Sequence, residues 1–216
     1  MSESKLDAAY VRAIMAEIGP DCILIGGWAS NIHLARDTMS HDVDTILDPL
    51  GDRQRVVSLI SGTKSHLSKW TGEIHGEHVD LYEPYVSRLG DIPVERLLPY
   101  AETKHGVRVL IPEAHLLTKM VCVLDAARSN SEKGVKDAFE VRGMMDLSSA
   151  SVAAGIWSLV SGTDVRSAFG VALSKARRDI TGKEARRFRG VAKEWSTAVD
   201  AVADTLSDEY AVKDDA

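Results

Sequence analysis

Two aspartates separated by a single residue, Asp42 and Asp44, constrain this chain more than any other feature of its sequence. Residues i and i+2 of a β-strand project from the same face, about 6–7 Å apart along the strand. Two carboxylates held that close repel each other unless a cation lies between them. Mg²⁺ binds carboxylate oxygens together with substrate phosphates, so the pair favours a strand that carries a metal site.

A glycine pair, Gly26 and Gly27, precedes these acids and follows a short apolar run over residues 22–25. The run predicts a buried strand, and a helix is expected over residues 28–35, directly after the glycines. Glycine lets a backbone approach a phosphate closely, and a helix N-terminus supplies N–H groups and a partial positive charge. The segment therefore favours triphosphate binding, with a plain tight turn as the alternative.

A third acid, Asp80, lies in a later apolar run. On a strand, Val79 and Leu81 would face one way and Asp80 the other. We expect this strand to bring Asp80 to the pair formed by Asp42 and Asp44.

These segments resemble the signature of the nucleotidyltransferase superfamily, the polymerase-beta-like enzymes. The shared pattern is a glycine pair, a short helix, two acids separated by one apolar residue, and a third acid on a neighbouring strand. The resemblance covers residues 20–145 and implies that Asp42, Asp44 and Asp80 are catalytic and hold Mg²⁺ or Mn²⁺. It also implies binding of a nucleoside triphosphate such as ATP. The residues expected at the nucleotide are Gly26, Gly27, Trp28, Arg36 and Ser40.

The helical segment after Pro112 is similar to the corresponding half of the AbiEii-type toxin nucleotidyltransferases and their uncharacterised bacterial relatives. That resemblance implies that Lys119 and Asp137 are catalytic as well. Where the family often has a second acid three residues later, this chain has Glu140. For Lys119, the alternative is a side chain that extends along an apolar helix face to reach water.

The order of the predicted elements gives an α/β (α+β) protein with a mixed sheet and flanking helices, the nucleotidyltransferase fold. We place this domain at residues 1–147, with its core at 20–111 and two helices at 113–147. The composition then shifts to alanine, serine and charge, which predicts a helical C-terminal region at 148–216.

Charge is distributed unevenly along the chain. The net charge is −6, yet residues 175–193 hold eight lysines and arginines against two acids, a net +6 beside −12 elsewhere. Such a stretch either binds a polyanion such as RNA or tRNA, or forms a solvated helix face. No apolar run approaches the roughly 18–20 residues of a membrane span, and the N-terminus lacks the apolar stretch of a signal peptide, so we expect a cytoplasmic protein without a membrane partner.

The function predicted from these features is metal-dependent transfer of a nucleoside monophosphate from a triphosphate to an acceptor hydroxyl. The acceptor could be RNA or tRNA, as for a toxin-like enzyme with an antitoxin-like protein partner. It could also be an antibiotic of the aminoglycoside or lincosamide type. The alternative from another class is a noncatalytic, nucleotidyltransferase-like binding module.

Overall fold

The computed structural model describes residues 8–35, 40, 42–65, 68–128 and 131–214. Arg36, predicted to bind nucleotide, lies outside the described residues. The chain divides into two compact units, Met1–Ile111 and Pro112–Ala216. The boundary predicted after residue 147 from composition stays a prediction.

The first unit is built on a mixed β-sheet. In the part of the chain that the structure describes, seven strands form this sheet in the order β3-β4-β5-β2-β1-β9-β8. Their bounds are β1 Cys22–Ile25, β2 Asp42–Leu47, β3 Thr63–Lys64, β4 Lys69–Ile74, β5 Glu77–Tyr82, β8 Ala101–Lys104 and β9 Val107–Leu110. The pairs β2–β5 and β1–β9 are parallel, and the other neighbours are antiparallel.

The three central strands β1, β2 and β5 bury their apolar residues, which is why these residues identify the strands in the sequence. Every residue of β1 is buried, and Val43, Val79 and Leu81 are at most 1% exposed. Strands buried on both faces read as nearly continuous apolar runs, so a polar residue in one of them needs a specific partner.

Helices cover this sheet and join its strands. Their bounds are α1 Ala8–Ile18, α2 Gly26–Leu34 and α3 Arg53–Leu59, with a 3₁₀ helix at Val94–Tyr100 and a hairpin of β6 Arg88–Leu89 and β7 Ile92–Pro93. The inner face of α1 contributes Val11, Ile14 and Ile18 to the core, each fully buried. Helix α2 begins at Gly26, two residues earlier than the sequence predicts.

Every regular element in the described residues of the second unit is a helix. Its elements are α4 Pro112–Leu124, a 3₁₀ turn at Ala126–Arg128, α5 Glu132–Met145, α6 Ala150–Val160, α7 Val165–Ala176 and α8 Gly182–Asp214. Phe169 links three of the helices, because its ring stacks on Trp195 at 5.7 Å and meets Trp157 edge-on at 6.1 Å. Aromatic pairs in these geometries add to the stabilisation from burial.

The predicted fold class is confirmed. The chain combines a mixed sheet and flanking helices with a helical C-terminal region, as the order of apolar patterns indicates. Among the described residues, no helix has the length and apolar character that crossing a membrane requires.

Candidate metal centre

Asp42, Asp44 and Asp80 come together in the first unit, and we call these three residues the acidic centre. Asp42 and Asp44 lie on one face of β2 because they are two residues apart. Strand β5 runs parallel beside β2 with Asp80 as the register partner of Asp44. One carboxylate oxygen from each of the three residues lies within 4.8 Å of the other two. The convergence predicted from spacing and strand pattern is therefore observed.

The three carboxylates differ in their surroundings. Asp42 and Asp44 are half-buried, whereas Asp80 is only 3% exposed. The Asp80 Oδ2 atom forms an ion pair with Lys69 Nζ. Its Oδ1 atom accepts a hydrogen bond from Thr71 Oγ1 at 3.0 Å and lies 3.3 Å from His78 Nε2. These partners offset the cost of burying a charged carboxylate in the sheet.

The donor set of the acidic centre can bind a hard divalent cation. Mg²⁺ and Mn²⁺ prefer carboxylate oxygens and retain positions for water or phosphate, while Zn²⁺ sites use histidine and cysteine. Carboxylates this close to one another carry mutual repulsion that a divalent ion would relieve. Three acidic residues therefore mark a candidate metal centre where β2 and β5 lie side by side.

The glycine turn lies directly against this centre. Ile25, the last residue of β1, pairs with Asp44, so the next residue, Gly26, begins α2 beside the Asp44 carboxylate. Gly26 has φ +70°, and a Cβ at this position would lie 3.0 Å from Asp44 Cβ and Cγ and closer still to Oδ2. Only glycine fits this conformation and this space without strain.

The start of α2 also presents backbone N–H groups near the acids. Its N-cap residue is Ile25, whose side chain has no acceptor to satisfy them. The first N–H groups of a helix need a partner from outside it, and an anionic phosphate is a favourable one.

The remaining residues predicted at the nucleotide occupy different environments. Trp28 belongs to the hydrophobic core and is 1% exposed, so its side chain supports α2 from inside. Gly27 is buried in the first turn of the same helix. Ser40 is 5% exposed, and its Oγ donates to the backbone carbonyl of Asp42 at 3.4 Å. Roles of these residues in nucleotide binding stay predictions.

Lys119 and Asp137 come together in the second unit, in what we call the ion-pair cluster: Lys119, Arg128, Asp137 and Glu140. Lys119 Nζ lies 2.6 Å from Glu140 Oε2 and 3.6 Å from Asp137 Oδ1. Arg128 Nη2 lies 2.7 Å from Asp137 Oδ2. Lys119, Asp137 and Glu140 have side chains at most 7% exposed. The cluster links α4 to α5 through ion pairs in which each charged group has a partner of opposite charge.

The ammonium group of Lys119 stays charged in this environment. Burial by itself lowers the pKa of Lys119, but the nearby groups of Glu140, Cys122 and Asp137 outweigh burial and raise that pKa above its usual range. The buried ammonium group of Lys119 therefore depends on its acidic neighbours Glu140 and Asp137 to stay charged.

Sequence reasoning missed the partners of Asp80, namely Lys69, Thr71 and His78. Thr71 is the register partner of Asp80 on β4, and Lys69 lies two residues before it on the same strand. The sequence contained a signal for two of these partners. Lys69 and Thr71 are two residues apart, so they share a strand face, and both side chains donate hydrogen bonds that a carboxylate can accept. Using it requires the register of the β4–β5 hairpin, which the sequence pattern leaves open.

Three solved structures show a partial likeness to this chain. The antibiotic-resistance factor ANT(2'')-Ia aligns with TM-score 0.47 and 18% identity, covering 74% of this chain and 92% of its own. JHP933 from Helicobacter pylori aligns with TM-score 0.47 and 15% identity, covering 99% and 98%. A candidate nucleotidyltransferase from H. pylori aligns with TM-score 0.48 and 14% identity, covering 96% and 98%.

At the level of sequence families, no protein-family profile and no curated protein matches the chain. All three structural likenesses have TM-scores below 0.5 and identities below 20%. The function of this chain therefore follows from its own site rather than from these relatives.

Proposed function

We propose that this protein is a metal-dependent nucleotidyltransferase that moves a nucleoside monophosphate from a nucleoside triphosphate to an acceptor hydroxyl. The observation that carries the proposal is the acidic centre: three carboxylates with oxygens within 4.8 Å, lying against a glycine turn that begins a helix. Acids alone fit many metal sites. Acids beside a helix N-terminus suit a metal–triphosphate complex in particular.

Each part of the site has a defined task in this reaction. Asp42, Asp44 and Asp80 would hold a divalent ion, Mg²⁺ or Mn²⁺, which when bound would neutralise phosphate charge and favour ionisation of the acceptor hydroxyl. The backbone at Gly26 and Gly27 receives the triphosphate, and the N–H groups of α2 offset its charge. The acceptor oxygen attacks the α-phosphorus, the bond to the bridging oxygen breaks, and pyrophosphate leaves. Such transfers depend on positioning and charge neutralisation more than on covalent catalysis.

Lys119 and Asp137 enter the proposal as residues of the catalytic machinery on the ground of resemblance. Their geometry supports at least a structural role, because Lys119 is held by Glu140 and Asp137 deep between α4 and α5. A role at the substrate requires Lys119 to exchange one of these carboxylates for a phosphate.

The acceptor that we favour is RNA, including tRNA, bound at the second unit. Arg186, Arg189 and Lys193 are exposed and follow one another at three- and four-residue spacing on α8, on the side opposite the buried Phe188 and Trp195. Other cations nearby with solvent access are Arg177, Arg178, Lys183 and Arg187. A row of accessible cations on an otherwise acidic protein is a suitable surface for a phosphate backbone. A toxin-like activity with an antitoxin-like partner belongs to this version of the proposal.

The proposal is tested by a transfer assay with each of the four triphosphates labelled at the α-phosphate. Purified protein is incubated with Mg²⁺ or Mn²⁺ and with tRNA, total RNA, protein or aminoglycoside and lincosamide acceptors. We expect label on one acceptor class, release of pyrophosphate, and loss of both with Asp42→Asn/Asp44→Asn. Label on an antibiotic would assign the alternative acceptor. Absence of label and of triphosphate binding would favour the noncatalytic module.

The RNA surface is tested separately by charge reversal. Replacing Arg186, Arg189 and Lys193 by glutamate should weaken RNA binding and reduce the slope of log K against log salt by about 0.7–0.9 for each phosphate that the protein no longer neutralises. The matched control reverses three arginines of the first unit, Arg12, Arg88 and Arg96, for the same change in net charge. Equal effects of the two triple variants would show that only net charge matters.

A further inference from the structure

Lys69 is a cation already present in the candidate metal centre, and this placement has consequences for how the centre binds metal. Its ammonium group forms an ion pair with Asp80 Oδ2, and its side chain is only 16% exposed. The same ammonium lies 5.4 Å from the centroid of the Tyr82 ring. Both interactions hold the lysine over the sheet face that carries the acids.

The charges of the centre match one divalent ion. Asp42, Asp44, Asp80 and Lys69 together carry a formal net charge of −2. Without Lys69 the same face would carry −3, and a single divalent ion would leave it negative. Electrostatic interaction between charges about 4–6 Å apart in a partly buried site is strong enough to change an ion's affinity by on the order of tenfold.

Both oxygens of Asp80 are engaged by protein groups. Its Oδ2 meets Lys69, while Thr71 Oγ1 and His78 Nε2 lie at 3.0 and 3.3 Å from Oδ1. A carboxylate has about four lone-pair sites and three of those on Asp80 are occupied, so Asp80 can offer a metal ion a second site only if one of these partners, such as Lys69, moves.

We infer that Lys69 is a positioning residue of this centre. Its ammonium group stays paired with Asp80 until a triphosphate binds. The ammonium group then moves to pair with a phosphate oxygen, and Asp80 becomes a metal ligand. This inference rests on the proposed function. It adds a residue that contacts the triphosphate, and it states that metal and nucleotide bind synergistically. No bond other than hydrogen bonds and ion pairs changes in the exchange.

The test is Mn²⁺ binding to the full chain without nucleotide, measured by electron paramagnetic resonance and by calorimetry. We expect Lys69→Met to bind Mn²⁺ about tenfold more tightly than the wild type, and Lys69→Arg to resemble the wild type. With a non-hydrolysable triphosphate, the gain in Mn²⁺ affinity caused by nucleotide should be smaller in Lys69→Met.

The control is Lys64→Met, which removes the same charge from the neighbouring strand. Lys64 is 47% exposed and lies 3.6 Å from Glu83, away from Asp80, so its replacement should leave Mn²⁺ affinity within about twofold of the wild type. Lys69→Gln serves as a second variant, because its amide retains a hydrogen-bond donor for Asp80 if loss of the ion pair weakens folding. It should also bind Mn²⁺ more tightly.

Unchanged or weaker Mn²⁺ binding by both Lys69→Met and Lys69→Gln would overturn the inference. If Asp42→Asn/Asp44→Asn loses Mn²⁺ in the same series, the proposed function stands and the role of Lys69 alone falls. If that double variant binds Mn²⁺ as the wild type does, the metal centre is elsewhere and both proposals fall.

Discussion

The acidic centre of the first unit and the ion-pair cluster of the second contain similar residues in opposite arrangements. In the acidic centre, Asp42 and Asp44 are half-buried and the acids outnumber Lys69. In the ion-pair cluster, Lys119 and Glu140 are almost fully buried, and each acid has a basic partner. An excess of one sign within reach of solvent attracts a ligand of the other sign. A balanced set away from solvent stabilises one packing of the helices.

The comparison is tested most strongly by removing the excess charge from the acidic centre. Asp42→Asn/Asp44→Asn should reduce transfer activity at least about 10³-fold, because the ligands that position metal and phosphate are lost. The free energy of unfolding should stay the same or rise, since the mutual repulsion of the carboxylates disappears. Urea denaturation and the transfer assay on the same preparations measure both quantities.

The control for this variant is Asp48→Asn on the same part of the chain. Asp48 follows β2 and pairs with Arg108 at 2.8 Å, outside the acidic centre. Its activity should match the wild type. Activity within tenfold of the wild type for the double variant at Asp42 and Asp44 would contradict the assignment of the centre.

In the ion-pair cluster, by contrast, removal of a charge should lower the free energy of unfolding. Lys119→Met leaves Glu140 and Asp137 without their buried cation, and we expect a loss of about 3–5 kcal/mol in the free energy of unfolding. Since the pKa of Lys119 is raised in the folded state, its contribution is fully present at neutral pH and is lost only as pH rises through that raised value. Urea denaturation at pH 7 measures the loss.

The control at the edge of the cluster is Lys136→Met. Lys136 lies 3.9 Å from Glu140 and is 32% exposed, so its removal should cost less than about 1 kcal/mol. Lys119→Arg tests the catalytic role that resemblance implies, because it keeps the charge. Activity lost with stability retained would place Lys119 at the substrate, and equal retention of both would restrict it to packing.

Substitutions of two glycines with positive φ should have a smaller effect on metal affinity. They distinguish backbone strain from a steric clash with Asp44. Gly26→Ala introduces a Cβ against the Asp44 carboxylate at φ +70°, so Mn²⁺ affinity should fall at least about tenfold as Asp44 is displaced. Gly76→Ala at φ +82° meets no atom within 4 Å, and it should cost only the left-handed strain of about 1–2 kcal/mol. An equal reduction of Mn²⁺ affinity in both variants would show that Gly26 has no specific role at the acidic centre.

The smallest expected effect is that of Asp48→Asn on the free energy of unfolding. A hydrogen bond from the backbone N–H of Leu50 lowers the pKa of Asp48 below its usual range, with a further contribution from Arg108. Its stabilisation is therefore present above the unfolded-state pKa and disappears as pH falls through the lower folded-state value. Asp48→Asn should reduce the free energy of unfolding by about 0.5–1 kcal/mol at pH 7. The difference should vanish once the pH has fallen below the folded-state pKa of Asp48, and a difference that persists there would have another cause.

The sequence predicts the central part of the fold better than its edges. Strands β1, β2 and β5 are recognised because burial makes them apolar over most of their length. Strand β8, with the residues Ala101–Lys104, escapes prediction since it is an edge strand of small and charged residues without apolar alternation. Propensity and periodicity report burial, so an element that is partly exposed leaves a weak pattern.

For the site as well, the features that depend on local spacing and burial could be predicted from the sequence. Asp42 and Asp44 share a face by spacing alone, and Asp80 stands out as an acid in a buried run. Lys69 could not be assigned to the site, because its ion pair with Asp80 depends on the register between β4 and β5. The pairing of Arg128 with Asp137 likewise depends on how the segment between α4 and α5 turns, which local sequence does not determine.

The most direct test of the central claim is calorimetric titration of each nucleoside triphosphate into the protein with and without Mg²⁺, for the wild type and for Asp42→Asn/Asp44→Asn. The expected result is triphosphate binding that requires Mg²⁺ in the wild type and is lost in the variant, while Asp48→Asn binds normally. Triphosphate binding that is independent of Mg²⁺, or that survives in the double variant, would contradict the metal–triphosphate site at Asp42, Asp44 and Asp80.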